Sequence, residues 1–341
     1  MIQQAVMPRP GTVEYQEIQK PAAGPDEVLI QIKRIGICGS DIHVWHGQHP
    51  YTSYPVVQGH EVSGVVAEVG ADVKESFSVG DKVVFMPQVT CGVCYSCRHA
   101  MDNICDHLKV MGFQTGGAAQ EYFPVQASKV LRLPNSVSLD HGAMIEPISV
   151  GAHAIARAGG VEGKRVLVLG AGNIGNLLAQ VALASGADGL LITDISEYKL
   201  EKARQSGLPH VVNSSKVDLG EAIAAVFGPD KADVTFECVG HQSTISDAIG
   251  FARKGSTIVV VGVFGALPQV DMGLVQDREL AVLGTLMYQK RDYERAIELA
   301  ANGKLRLDGL VTHRFPFHKF MDAYQTIESL RGDSMKVMIE M

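Results

Sequence analysis

The chain has 341 residues, enough for about two domains that each bury a core of their own. Hydrophobic residues make up 46% and charged residues 20%, a globular composition that excludes the disordered and membrane-embedded classes. With 30 Lys and Arg against 37 Asp and Glu the formal charge is -7, and no basic run interrupts it, which argues against nucleic acid and anionic membrane as partners.

The opening MIQQAVMPRP lacks the basic and apolar regions of a signal peptide, and no uninterrupted apolar run approaches the roughly 18 residues of a membrane span. A cytoplasmic protein is expected. Five short strands follow, broken by turn residues: EVLIQIKRIGIC, HEVSGVVAEVG, DKVVFMPQ, AQEYFPV and KVLRLP. Residues 1–151 therefore read as a β-rich domain. Within it CGVCYSCRHAMDNIC packs four of the six cysteines into one turn-rich loop. Such spacing means disulfides in a secreted miniprotein and metal or redox chemistry in a reducing compartment. Cys91, Cys94, Cys97 and Cys105 suit a closed tetrahedral zinc site, which stabilises a loop but leaves no position for substrate.

From 152 to 286 the texture changes to strand and helix in alternation, which predicts an α/β domain with a doubly wound parallel sheet. The strands are KRVLVLG, LLITD, VVN, DVTFECVG and STIVVVGV; the helices are NIGNLLAQVALASGA, SEYKLEKARQSG, DLGEAIAAVFG and STISDAIGFARKG. Between the first strand and its helix lies Gly170-Ala-Gly172-Asn173-Ile174-Gly175, and the second strand ends in Asp194. In that setting the glycines form a dinucleotide fingerprint: Gly170 makes the tight turn, Gly172 admits the pyrophosphate, and Gly175 lets helix and strand pack closely. Asp194 suits the ribose hydroxyls and repels a 2′-phosphate, so NAD is expected over NADP. Lys199 is the nearby cation that would soften this preference. Residues 287–341, with helices DYERAIELAANG and HKFMDAYQTIESL and a final strand KVMIEM, are expected to return to the first domain.

The remaining metal-binding residue types are Cys38 in GICGSDIH, His60 and Glu61 in VVQGHEVSG, and Glu146 in MIEPISVG, none of which defines a site alone. Together with GHE-x2-G-x5-G-x2-V and the fingerprint, they resemble the zinc-containing medium-chain alcohol and polyol dehydrogenases over essentially the whole chain. CGSDIH, GHE and IEPISVG are similar to the sorbitol dehydrogenase branch, and HGQHPYTSYPVVQGHE to its sugar-acid dehydrogenases of the galactonate or gulonate type.

That resemblance implies a GroES-like catalytic domain beside a Rossmann domain, in a homodimer or homotetramer with NAD and two zinc ions per chain. It implies Cys38, His60 and Glu146 as catalytic zinc ligands, Glu61 as a ligand that enters or leaves the shell, and Asp41 behind His60. Ser40 would take the substrate proton and pass it through the nicotinamide ribose toward His43, whose ordinary pKa suits a shuttle. Cys238, Gly240 and Val261, at ends of later strands, would lie at the cofactor, Cys238 as a buried thiol and not a nucleophile.

The implied reaction is hydride transfer from a secondary alcohol of a sugar acid or polyol. Threonine-like 3-hydroxy amino acids, vicinal diols and a catalytically silent dinucleotide-binding protein are the alternatives. Two departures stand out: Asn173 replaces a common proline, and Leu286-Met287-Tyr288 lacks the arginine that sorbitol dehydrogenases place before the tyrosine. The second points away from sorbitol. A hydroxyl one carbon from the end of a five- or six-carbon sugar acid is expected, with Arg291 or His49 offered to its carboxylate. Trp45, His46, Tyr51, Phe113 and Tyr288 are the candidates for the pocket wall, His46 and His49 being candidates equally for plain surface.

Overall fold

A computed structural model describes all 341 residues, which form two units. The first comprises residues 1–146, 289–301 and 311–341; the second comprises 147–288 and 302–310. The helix Ile145–Arg157 runs through both this division and the expected change of texture at 151/152.

The first unit is built around the strand Glu27–Ile37, whose nearly continuous apolar sequence is buried along most of its length. Burial on both faces requires partners on both edges. Glu61–Val69 runs antiparallel along one edge. Tyr122–Gln126 occupies the start of the other edge and Lys336–Glu340 its end. The sheet continues outward through Lys82–Phe85 to Val130–Arg132 on one side, and through the parallel strand Val311–Pro316 on the other. The C-terminal segment is thus an internal strand of the N-terminal sheet, which explains why KVMIE is buried at its first four positions. In this register Gly36 lies opposite Glu61 on one side and Met338 on the other. A β-carbon on Gly36 would stand 2.3 Å from Glu61 Oε2 and 3.3 Å from Lys336 Cδ, so only glycine leaves the two flanking strands room to join side chains there.

Four elements of this unit carry no clear signal in the sequence. Ile2–Arg9 and Thr12–Ile18 form a separate hairpin whose second strand is largely solvent-facing. Val311–Pro316 alternates weakly, and the helix Gly39–Trp45 is too short to show a period. That helix begins at Cys38, with the Asp41 side chain reaching back to the Cys38 N–H as in a capping box.

The second unit is a six-stranded parallel sheet, in the order His210–Asn213, Gly189–Asp194, Arg165–Leu169, Val234–Glu237, Thr257–Val260, Ala281–Gly284. Chain order reverses at Arg165–Leu169, the switch point where ligands of such sheets bind beyond the strand ends. The four predicted helices form at Asn173–Ala184, Glu197–Gln205, Leu219–Phe227 and Gln242–Gly250. Ser196 and Asp218 cap two of them by accepting the N–H of Lys199 and Glu221. No helix of the protein is long and apolar enough to cross a membrane.

Candidate metal and dinucleotide sites

The four lobe cysteines converge so that their sulfurs all lie within 4.8 Å of one another. Sγ of Cys91 is 3.5 Å from that of Cys105 and 4.0 Å from that of Cys97, and Cys94 is 3.9 Å from Cys105. No two are bonded as a disulfide. A tetrahedron with metal–sulfur bonds of about 2.3 Å has edges of about 3.8 Å, so these three separations are those of a group that could hold zinc. Backbone N–H groups of Cys94, Cys91 and His107 point at these sulfurs and favour thiolate. The N–H groups of Cys97 and Asp106 lower the Cys94 thiol to about 6.

A second group brings Cys38, His60 and Glu61 within the same 4.8 Å limit. Cys38 precedes the short helix and His60 and Glu61 open the strand Glu61–Val69, so adjacent sheet strands deliver all three. Glu61 is fully buried and its Oε1 has no hydrogen-bond partner. An orphaned oxygen on a carboxylate grouped with a thiol and an imidazole is what a metal would satisfy, and a thiolate, imidazole and carboxylate set leaves zinc an open position. His60 Nδ1 is buried without a hydrogen-bond partner, its nearest acceptor being Asp41 Oδ1 at 3.5 Å, so Nε2 is the nitrogen proposed for the metal. Burial pushes the His60 pKa down, but Asp41 and Cys38 more than offset it, and the group sits well above its ordinary value.

The other oxygen of Glu61 is taken by Lys336, a residue with no sequence signal, whose Nζ also donates to the Ile37 carbonyl at 3.2 Å. Both partners are fully buried. Burial alone would lower the Lys336 pKa; Glu61 and Cys38, with Glu146, raise it above the ordinary lysine value. Glu146 therefore lies near enough to act on Lys336, but it stands outside the group of three ligand atoms.

Around this group the predicted residues separate by environment. Ser40 Oγ is 3.9 Å from Cys38 Sγ, and His43, one helical turn further, is exposed. Phe113 packs its ring against both His60 and His49, each at 4.9 Å between centroids. His49 is half-buried there, with Nδ1 2.7 Å from the Thr52 hydroxyl, and burial followed by the charge of His43 lowers its pKa, which favours the neutral ring over the cation. Tyr51 is exposed. Trp45 is core, stacked on Tyr324 at 4.9 Å, and His46 forms a surface pair with Glu328 at 2.7 Å. Arg291 is exposed on the helix Lys290–Ala301, and Tyr288 is buried in the second unit.

In the second unit the fingerprint turn has the shape its glycines imply. Gly170 has φ +102°, a left-handed value that favours glycine, and a β-carbon at Gly175 would stand 1.9 Å from the Gly170 carbonyl oxygen. A β-carbon at Gly172 would meet nothing within 4 Å, so open space lies where backbone and anion would approach. Gly172 caps the helix Asn173–Ala184 without a side-chain bond, leaving its first N–H groups for an anion. Beside it Asn173 Oδ1 is buried and unpartnered, and Ile174 is half-buried. These features fit a dinucleotide. Asp194 is fixed at the strand end by the N–H groups of Ala171 at 2.8 Å and Ser196 at 2.9 Å. The Lys199 N–H is engaged with the Ser196 cap.

Glu237, not singled out in the sequence, is fully buried and shapes the next loop by accepting from Val239 N, Gly240 N and the Thr244 hydroxyl. Its backbone carbonyl takes the Val261 N–H at 2.8 Å. Burial, with Glu237 adjacent, pushes the Cys238 thiol well up, which makes it inert.

Comparison with known proteins agrees with both units. Residues 24–135 match the alcohol dehydrogenase GroES-like domain and residues 173–302 the zinc-binding dehydrogenase domain. The chain is 36% identical to D-xylulose reductase of Saccharomyces cerevisiae, covering 98% of this chain and 96% of that one. It is 35% identical to 2-dehydro-3-deoxy-L-galactonate 5-dehydrogenase of Pseudoalteromonas atlantica, over 94% and 92%. Among solved structures, one described as a short chain alcohol dehydrogenase of Escherichia coli CFT073 complexed with NADH superposes with a TM-score of 0.92, at 29% identity, covering 100% and 99% of the two chains.

Proposed function

This chain belongs to the zinc-binding dehydrogenases of the alcohol dehydrogenase family, and from that premise we propose that it oxidises a secondary alcohol of a sugar acid, with polyols as slower substrates, at Cys38, His60 and Glu61. The observation that carries the site is the buried, unpartnered Oε1 of Glu61, whose carboxylate is grouped with the Cys38 thiol and the His60 ring. When bound there, zinc acts as a Lewis acid that lowers the pKa of the substrate hydroxyl, and NAD at the glycine fingerprint accepts the hydride.

The residues of the chain supply the rest. Ser40 Oγ, beside Cys38, would take the hydroxyl proton while giving up its own to the nicotinamide ribose of bound NAD, from which it passes toward the exposed His43. Asp41, whose Oδ1 faces His60 Nδ1 at 3.5 Å, is placed to take that N–H when Nε2 binds a metal. Phe113 closes one side of the ligand group against water, and the neutral His49 stacked on it offers an N–H to a substrate carboxylate or hydroxyl, a role the exposed Arg291 is not suited to. Glu146 serves as an outer residue acting through Lys336. Met287 in place of the sorbitol-type arginine favours aldonates over sorbitol, a reading supported by the relatives named for sugar-acid chemistry, while those named sorbitol dehydrogenase and D-xylulose reductase keep polyols as the second substrate class.

Initial rates with NAD across aldonates, polyols, vicinal diols and threonine test this. The highest kcat/KM is expected for a five- or six-carbon aldonate. Faster turnover of threonine or a simple diol would overturn the substrate while sparing the zinc chemistry.

Asp194 sets the cofactor. Asp194→Ala removes the charged acceptor for the ribose hydroxyls, a bond worth about 1.5–3 kcal/mol, so NAD affinity should fall roughly tenfold or more while NADP binding improves. Titration of both cofactors by fluorescence measures the two changes; equal wild-type affinity for NAD and NADP would transfer the discrimination to Lys199 or a neighbour.

We assign the enzyme to the cytoplasm, a reading supported by cysteine sulfurs gathered at metal-site distances. A homodimer or homotetramer is supported by the exposed edge strand Ala281–Gly284 and the exposed side chains of Val263, Leu267 and Leu286 in the same unit.

A further inference from the structure

Tyr324 and Gln58 have no place among the ligand, relay and cofactor residues, yet both are buried polar groups joined to them. Tyr324, on the helix Phe320–Ser329, is 1% exposed, with its ring stacked on Trp45 at an interplanar angle of 5°. Its hydroxyl donates to Gln58 Oε1 at 2.6 Å, and Gln58 Nε2 donates to Asp41 Oδ1 at 2.9 Å. Asp41 Oδ2 accepts the Cys38 N–H at 2.9 Å, and the same Oδ1 faces His60 Nδ1 at 3.5 Å, a buried ring nitrogen that makes no hydrogen bond of its own.

This chain has only one consistent polarity. A carboxylate accepts and cannot donate, so the amide must turn its NH2 to Asp41. Its oxygen is then left facing Tyr324, which must donate. Reversing the amide would set its oxygen against the carboxylate. Apolar side chains could fill the same volume without the desolvation that a buried phenol and amide incur, so the polar pair is not explained by packing.

We propose that Gln58 and Tyr324 are positioning residues that act through Asp41: they lock its carboxylate in the rotamer that faces His60 Nδ1, and so aim Nε2 at the catalytic metal. The proposal rests on the reading of Cys38, His60 and Glu61 as a zinc site. Asp41 is held from two directions, by the helix start at Cys38 and by Gln58. Tyr324, Trp45 and the His46–Glu328 pair tie the same short helix to the C-terminal helix. The C-terminal return of the chain thereby sets the geometry of a ligand near the N-terminus.

The test uses zinc-loaded, full-length wild type, Gln58→Leu, Tyr324→Phe and the double variant, with zinc release followed against a graded chelator. The lobe zinc serves as internal standard, and Cys38→Ser protein identifies which release belongs to the catalytic site. Gln58→Leu should weaken that site roughly tenfold, the scale of losses behind a ligating histidine. Tyr324→Phe, which keeps the ring on Trp45, should weaken it less but in the same direction, with kcat falling and the KM for NAD unchanged. The double variant should match Gln58→Leu alone, because Tyr324 acts only through Gln58. Unchanged catalytic-site affinity in both single variants, even with a lowered Tm, would overturn the proposal, as would full additivity. A wild type holding zinc in the lobe alone would instead sink the site reading beneath it.

Discussion

Cys38→Ser is expected to lower turnover by at least about a thousandfold, the scale of several kcal/mol of Lewis-acid stabilisation, while leaving a folded chain with one zinc. The expectation follows from two ligand sets that share no residue. Cys38 supplies the one thiolate of the open group, and without it His60 and Glu61 remain as an imidazole and a carboxylate already engaged by Lys336. The four sulfurs of the lobe sit on a separate loop and keep their tetrahedron. Cys97→Ser is the converse: it removes a vertex of the closed site, so stability should fall first and any loss of turnover should track unfolding. Metal content by atomic emission, beside kcat and thermal denaturation, separates the cases. A Cys38→Ser protein that retains two zinc ions and near-normal kcat would remove Cys38 from the chemistry.

The second large effect belongs to Lys336. Lys336→Met leaves Glu61 as an unpaired carboxylate in a fully buried position, and breaking a buried pair on one side costs about 3–5 kcal/mol. That is a substantial part of the roughly 5–15 kcal/mol that holds a folded protein together. The loss should be greatest in metal-free protein. Zinc at Cys38 and His60 would give Glu61 a new partner and restore part of the stability by mass action. Adding Glu61→Gln to Lys336→Met should likewise recover stability, because the charge itself is then gone. Urea denaturation of the four proteins of this cycle measures the coupling. If Lys336→Met destabilises zinc-free and zinc-loaded protein equally and by less than about 1 kcal/mol, the pair is not what holds Glu61.

What the sequence discloses of this site follows from the range of the interactions. The fingerprint is legible because Gly170, Gly172, Gly175 and Asp194 sit on one strand–helix–strand unit, and strands such as VLVL are apolar throughout because helices cover a parallel sheet. The lobe is legible because four cysteines within fifteen positions admit few chemistries in a reducing compartment. Lys336 is not, since a lysine opening KVMIEM reads as a solvated strand end until the register places it across Gly36 from Glu61. Gln58 and Tyr324 are separated by 266 positions, and nothing local marks either as polar and buried. Trp45 and His46 were plausible pocket residues by position alone, but the C-terminal helix, folding back onto this unit, claims both. The hairpin Ile2–Ile18 is not legible because a largely solvent-facing strand such as Thr12–Ile18 shows little apolar alternation.

The central claim is a zinc ion at Cys38, His60 and Glu61, distinct from the zinc of the cysteine lobe. Anomalous diffraction from crystals of zinc-loaded enzyme, collected on both sides of the zinc absorption edge, tests it most directly. Two peaks per chain are predicted, one at bonding distance from Cys38 Sγ and His60 Nε2 and one within the tetrahedron of Cys91, Cys94, Cys97 and Cys105. A single peak in the lobe, with the Cys38 group metal-free in fully active enzyme, would contradict the account.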